Sequence, residues 1–346
     1  MIKEAIARVI ARKNLSQQEA EEVMTRIMSG EATAAQVGAL LAALRLKGET
    51  AEEVAGFAKS MRRHATPVHT SRPFLVDTCG TGGDGRHTFN ISTTAAFVVA
   101  AAGIPVAKHG NVSVSSRCGS ADLLRALGAN LELDARDLGR CLDEVGLAFL
   151  FAPRLHHAMR HAAGPRRELG IRTVFNILGP LTNPARPRAQ VLGVYSPEAA
   201  PLVAEVLARL GVDRAFVVHG AGGLDEFSTV GPAQIWEVTE DRIEYRLVDP
   251  ADLGFTPAPL EALVGGDPAA NAAITRSVLA GETGPRRDAV VLNAALALLA
   301  SRATESLPGA VELAAATIDS GAALAKLEEF VAFTGGLQGA CQNPGA

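Results

Sequence analysis

The sequence predicts an α/β protein in two parts. A small helical domain covers residues 1–70, and a larger domain over 74–346 is built on a mostly parallel central sheet covered by helices. Three observations predict it. The first 65 residues carry three helix-start signatures and no strand pattern. From about residue 74, short apolar runs alternate with helical ones, the mark of a parallel sheet whose crossovers are helices. Where the two regimes meet, Phe74-Leu75-Val76 feeds Asp77-Thr78-Cys79-Gly80-Thr81-Gly82-Gly83-Asp84-Gly85 and then Ala95-Ala96-Phe97-Val98-Val99-Ala100, which reads as strand, glycine turn and helix.

Along the chain, Ile2, Ile6, Val9 and Ile10 line one face of a first helix. Ser16-Gln17-Gln18-Glu19, Thr33-Ala34-Ala35-Gln36 and Thr50-Ala51-Glu52-Glu53 each fit the capping box, in which two residues satisfy each other's backbone N–H groups, and so start three more. Val37, Leu40, Leu41 and Leu44 keep the i, i+3, i+4, i+7 spacing of a buried helix face. Four short helices enclose little core, so this unit is expected to pack on a larger domain or on a second copy of itself. Pro67–Pro73 is the linker and a natural hinge. Then come a strand at Phe74–Val76, a helix over 93–102, a strand over 105–108, helices near 119–127 and over 135–145, and the apolar strand Leu147–Phe151. Gln190–Tyr195, a helix over 198–210 and Ala215–Val218 form another β-α-β unit. Gln234–Val238 and Arg242–Val248 read as a hairpin, and the tail from 268 as helical.

The glycine turn lets a backbone approach a bulky anion, and Asn90, Ser92, Thr93 and Thr94 at the start of the following helix offer N–H groups and hydroxyls to phosphate. Gly80–Gly85 also fits the dinucleotide fingerprint, which needs an acid after the next strand; Lys108 stands there instead, which disfavours that reading. The loop Lys108-His109-Gly110-Asn111-Val112-Ser113-Val114-Ser115-Ser116 leaves the next strand end, where ligand sites of parallel sheets gather, and Gly119-Ser120 opens another helix. Asp225-Glu226 follows the strand Phe216-Val217-Val218; adjacent carboxylates there suit Mg²⁺, which takes a few oxygen ligands plus substrate phosphates. His109 and His219 read either as bases or as histidines that hydrogen-bond their own loops. Among Arg154, Arg160, Arg166, Arg167 and Arg172, one inward guanidinium would pair with a substrate carboxylate, and spacing alone does not select which.

Composition narrows the classes. At 48% hydrophobic and 20% charged residues the chain fits a soluble globular protein, and a net charge of −4 leaves no basic footprint for nucleic acid. No apolar run reaches membrane-spanning length, and the Met1-Ile2-Lys3-Glu4-Ala5 start lacks a signal peptide's apolar core. Cys79, Cys118, Cys141 and Cys341 are scattered without a C-x-x-C, which reads as reduced thiols in a cytoplasmic protein rather than a disulfide frame or a zinc site.

Together these motifs resemble the anthranilate phosphoribosyltransferase family of tryptophan biosynthesis over nearly the whole chain. The resemblance rests on the Gly80–Gly85 loop, Asn90-Ile91-Ser92-Thr93, Lys108–Ser116, Gly119-Ser120-Ala121-Asp122, Arg166-Arg167-Glu168-Leu169-Gly170, Phe175–Pro184 and Leu224-Asp225-Glu226. It implies a discontinuous helical domain, completed by segments around Pro165–Pro187, a homodimer through that domain, and small-molecule substrates at the hinge. Contacts to phosphoribosyl pyrophosphate are implied for Gly80, Gly83, Asp84, Thr88, Asn90, Ile91, Ser92, Thr93, the whole loop Lys108–Ser116 and Ser120. Gly80, Asn111 and Arg166 are implied for anthranilate, and Ser92, Asp225 and Glu226 for magnesium, with two ions expected to share the acid pair. No side chain is expected to act as nucleophile or strong base. Val112 departs from the family's usual arginine, Gly164-Pro165 from its Pro-Val, and His157 from a common proline. Two other readings are a pyrimidine nucleoside phosphorylase-like enzyme, expected to carry a further C-terminal domain, and a non-catalytic nucleic-acid-binding paralogue, expected to be basic and to lack Arg166 or the acid pair.

Overall fold

The computed structural model describes residues 2–112 and 117–337. Its N-terminal part holds helices α1 (Ile2–Ile10), α2 (Gln17–Met28), α3 (Ala34–Lys47) and α4 (Ala51–His64). All three capping boxes form: Ser16 with Glu19, Thr33 with Gln36 and Thr50 with Glu53 exchange side-chain and backbone hydrogen bonds. Val37, Leu40, Leu41 and Leu44 are buried as expected. Ile10 is not: it is 67% exposed, and the inward face of α1 runs through Ala5 and Val9. In a nine-residue helix Ile10 lies at the rim of the stripe, and the smaller Ala5 allows close approach.

The rest of the chain alternates as β1 (Val76–Gly80), α5 (Ile91–Ala101), β2 (Val106–Gly110), α6 (Ser120–Ala126), α7 (Ala135–Glu144), β3 (Leu147–Phe151), α8 (Ala152–Leu155), α9 (Arg160–Leu169), α10 (Phe175–Leu178), β4 (Ala189–Gly193), α11 (Ala199–Leu210) and β5 (Arg214–His219). It ends with β6 (Ala233–Thr239), β7 (Ile243–Val248), α12 (Pro268–Leu279), α13 (Pro285–Ala300), α14 (Leu307–Asp319) and α15 (Ala322–Gly336). The seven strands run in the order β3-β2-β1-β4-β5-β6-β7. The first five are mutually parallel, while β6 and β7 are antiparallel additions at one edge, the expected hairpin.

The first strand differs from its sequence reading. It starts at Val76 and runs through Asp77-Thr78-Cys79-Gly80, pairing from Val76 opposite Ala189 to Gly80 opposite Gly193. Neighbours on both sides supply the ladder here, so residues of poor strand propensity are held extended by tertiary pairing.

Two apolar clusters flank the sheet. On one side α5, α12, α13, α14 and α15 bury residues such as Phe97, Leu296 and Phe330. On the other, the core of α1–α4 joins Ala162, Phe175, Leu178 and Leu181 of the intervening segment, Val203 and Leu207 of α11, and Leu192, Ala215 and Val217 of the sheet. This second cluster is continuous, so the helical part shares its core with the sheet. The sequence direction reverses between β1 and β4, and that switch point opens a crevice at the carboxyl ends of the strands, where ligands of doubly wound sheets bind.

Candidate active site

The acid pair folds back over that crevice. A Cβ on Gly80 would come within 2.6 Å of Asp225 Oδ2, and one on Gly193 within 1.6 Å of the Asp225 carbonyl, so only glycine at these two strand ends admits the acid loop. Asp225 Oδ2 accepts from the Gly82 N–H at 2.8 Å, and Glu226 Oε1 from the Ser92 N–H at 3.2 Å at the start of α5. Glycine turn, helix N-terminus and carboxylates thus converge on one point. Burial holds both acids well above the usual carboxylate range, and Asp84 beside Asp225, and Asp225 beside Glu226, raise them further. Asp84 presents a buried oxygen, Oδ2, without a hydrogen-bond partner, while its Oδ1 accepts from the Arg86 N–H at 3.0 Å.

Lys108 lies midway along β2, inside the strand rather than at the start of the expected loop; it is buried and donates to the Thr78 carbonyl and, at 3.4 Å, to Ser92 Oγ. Burial pulls its pKa down, against the charges of Asp77, Glu226 and Asp225. Asp77, the acid that begins the glycine motif, faces away from the crevice. It is fully buried, accepts from the His109 N–H at 3.2 Å and from Asn183 Nδ2 at 2.9 Å, and is pushed by burial up to about 6. Asn183 also donates to the Ala107 carbonyl at 2.8 Å, which ties the segment after α10 to the sheet.

Both histidines singled out by sequence bind the protein's own loops. His109 Nδ1 lies 3.2 Å from the Gly179 carbonyl, so that nitrogen carries the proton, and its Nε2 accepts from His156 Nε2 at 3.2 Å. Burial depresses His109 to about 3 and His156 to about 4. His219 Nδ1 faces the Val194 carbonyl at 3.0 Å.

The remaining sequence-derived positions divide clearly. Ile91 and Thr93 are buried, so they offer the crevice backbone rather than side chain. Asn90 is tied at 3.2 Å to the Cys118 carbonyl and at 2.9 Å to Asn271. Thr88 bridges to Val264, and Ser120 donates to the Asn111 carbonyl at 3.2 Å. Gly110 packs closely, since a Cβ there would meet Phe149 and Ser120 at 2.5 Å. Asn111 is exposed, its side chain bonded to the Val112 N–H at 2.8 Å, and Val112 is 38% exposed. Ser113, Val114, Ser115 and Ser116 lie outside the described residues, as does Cys341. Arg166 lies on α9, half-buried, its guanidinium 4.8 Å from the Phe175 ring centre. Its guanidinium makes no hydrogen bond or ion pair with Gly80, Asn111 or any other described residue. Sequence reasoning missed His156, Asn271 and Tyr195, which carry no motif, gave Asn183 of the Phe175–Pro184 segment no role, and left Arg172 in the arginine crowd although it donates to the Gly83 carbonyl.

Among the described residues no helix is long and apolar enough to cross a membrane. Residues 3–65 match the family model described as a glycosyl transferase family helical bundle domain, and residues 72–324 the one described as a glycosyl transferase family a/b domain. These define the class as a two-part glycosyl transferase. A protein of Desulforudis audaxviator called anthranilate phosphoribosyltransferase is 63% identical over 334 residues, covering 96% of each chain. The crystal structure of anthranilate phosphoribosyltransferase from Thermus thermophilus superposes with a TM-score of 0.91 at 48% identity, over 95% of this chain and 99% of that one. The Saccharomyces cerevisiae enzyme, solved in complex with phosphoribosyl pyrophosphate and Mg, gives 0.89 at 30% identity, over 97% and 98%. The chain belongs to the anthranilate phosphoribosyltransferase family.

Proposed function

We propose that this chain transfers the 5-phosphoribosyl group of phosphoribosyl pyrophosphate to the amine of anthranilate, giving N-(5-phosphoribosyl)anthranilate and pyrophosphate. The observation that carries this reading is the convergence of the Asp225–Glu226 pair, the Gly80–Gly85 turn and the α5 N-terminus at one crevice. Turn and helix start suit the phosphates, together with Asp84, Thr88, Asn90, Lys108 and the loop that follows it. Asn111 and Arg166 on the facing segments suit the anthranilate carboxylate, because an unpaired guanidinium offers it two parallel hydrogen bonds.

The acid pair also fits magnesium. Two desolvated carboxylates held above their ordinary pKa, beside the unpartnered Oδ2 of Asp84, form a site that gains from a cation. Among the described residues no cluster of three or more His, Cys, Asp or Glu would enclose a metal alone, which suits an ion that keeps waters and binds substrate phosphates. Asp225, Glu226 and Ser92 would hold Mg²⁺, as two ions sharing the pair, and such ions supply charge neutralisation to a departing pyrophosphate.

The chain's own groups do the rest. The anthranilate nitrogen already carries a lone pair, so the C1–N bond can form as the C1–O bond breaks with its electrons going to pyrophosphate, and the surplus amine proton leaves to water. A strong base is superfluous, which agrees with His109 being engaged at both ring nitrogens. Backbone N–H groups of the glycine turn and the positive end of α5 would stabilise the growing leaving-group charge, and the segment carrying Arg166 would bring the nucleophile alongside. We further infer a cytoplasmic homodimer formed through the helical part; Ile10 and Leu46 there are 67% and 79% exposed. Loss of anthranilate fluorescence on adding phosphoribosyl pyrophosphate, dependent on Mg²⁺, is the expected result; no loss with Mg²⁺ present refutes the reading. Light scattering should give twice the 35.9 kDa chain mass.

A further inference from the structure

We propose that Arg172, seated on Tyr195, is a positioning residue that pins the glycine turn and ties it to the segment carrying Arg166. Arg172 lies between α9 and α10, next to residues that anchor this segment in the core shared with the helical part, Val174 and Phe175 among them. Its Nη2 donates to the Gly83 carbonyl, and its guanidinium carbon lies 4.1 Å from the centre of the Tyr195 ring, a close cation–π stack. Tyr195 is itself fixed to the turn, because its N–H donates to Thr81 Oγ1 at 3.2 Å while the Thr81 N–H donates to the Gly193 carbonyl at 2.8 Å.

The turn is therefore held from two sides. Asp225 takes the Gly82 N–H and Arg172 takes the Gly83 carbonyl, at two residues with left-handed φ of 63° and 77°. Glycines relax readily from such a conformation, so an external hold fixes the direction of the turn's N–H groups. Arg172 forms no ion pair with any described residue, so its charge is spent on a neutral carbonyl and an aromatic face. Although Arg172 is an exposed residue, that use suits a strut. Because the same short segment carries Arg166 six residues earlier, the strut sets the distance between the two halves of the crevice.

The proposal rests on the glycine turn being the seat of phosphoribosyl pyrophosphate, and its test has one arm independent of that reading. In ligand-free protein, Arg172→Gln should speed hydrogen exchange of the Gly82 and Arg86 amides about tenfold, the scale of losing a hydrogen bond to a charged group. In turnover, the KM for phosphoribosyl pyrophosphate should rise about tenfold while the KM for anthranilate stays within about twofold. Tyr195→Leu should move both readouts the same way and Tyr195→Phe should restore them, since the ring is the platform. Arg172→Lys should recover little, lacking a planar group to stack. Unchanged exchange in a folded Arg172→Gln protein overturns the proposal. So does a rise confined to the anthranilate KM, which would make Arg172 a carboxylate reader. If Arg172→Gln does not fold, the Tyr195 pair decides by the same readouts. If the wild type makes no product from these substrates, the functional reading fails while the exchange arm still decides the strut.

Discussion

His109 and His156 share a hydrogen bond in a place where neither tolerates charge, and this makes stability fall in mild acid. Both folded values lie below the ordinary histidine value of 6.5, so the unfolded chain binds more protons between about pH 6.5 and 4. Their contribution is present above 6.5 and is lost as pH falls through that window. His156→Gln can still donate to His109, and the wild type should lose about 2 kcal/mol more than this variant between pH 7 and 5 in urea unfolding. At the acid pair, Asp225→Ala with Glu226→Ala should lower turnover at saturating Mg²⁺ at least a hundredfold, about 3 kcal/mol, without lowering the melting temperature. Activity within about threefold of wild type would refute the assignment. Arg166→Ala should raise the anthranilate KM roughly tenfold to a hundredfold with little change for phosphoribosyl pyrophosphate, because the carboxylate is equally charged in ground and transition states. Equal rises in both constants would mean that the arginine organises the hinge. Residue types alone marked the glycine turn and the acid pair, since few other tasks want those residues at the ends of parallel strands. They did not mark the work of Arg172 or Asn183, which depends on where a distant segment returns, nor that the Asp77 carboxylate turns into the core.

Among the elements, α4 shows how a local signature gains a second use. Glu53 completes its capping box with Thr50, accepting that residue's N–H at 2.9 Å, yet it is fully buried and also accepts from the Leu15 N–H and from Lys47, each at 2.9 Å. Glu53→Ala strands a buried ammonium and two backbone donors, and should cost about 3–5 kcal/mol in urea unfolding. Arg8→Ala, which breaks a solvent-exposed pair with Glu19, should cost less than about 1 kcal/mol. If the two variants prove equal, the buried network is not stabilising. The capping boxes were legible because they are complete within four residues, and β3 because five apolar residues in a row suit a strand buried on both faces. The extent of β1 was not, because Asp77-Thr78-Cys79-Gly80 becomes a strand only through pairing with β2 and β4.

For the molecule as a whole, the alternation of strands and helices announced the parallel sheet, and the turn from parallel to antiparallel at β6 followed from a visible hairpin. The short N-terminal helices were expected to enclose little core; what no periodicity conveyed is which elements complete it. Their apolar residues run on into α10, α11 and the strands behind them. One cooperative melting transition is the natural outcome of such a layout, with heat capacity and denaturant sensitivity scaling to the entire chain. The same continuity limits modular exchange. A helical part grafted from a relative would arrive with half of a matched surface, so recombinants within this family should tolerate crossovers that move α11 together with the N-terminal helices and fail where the two are separated.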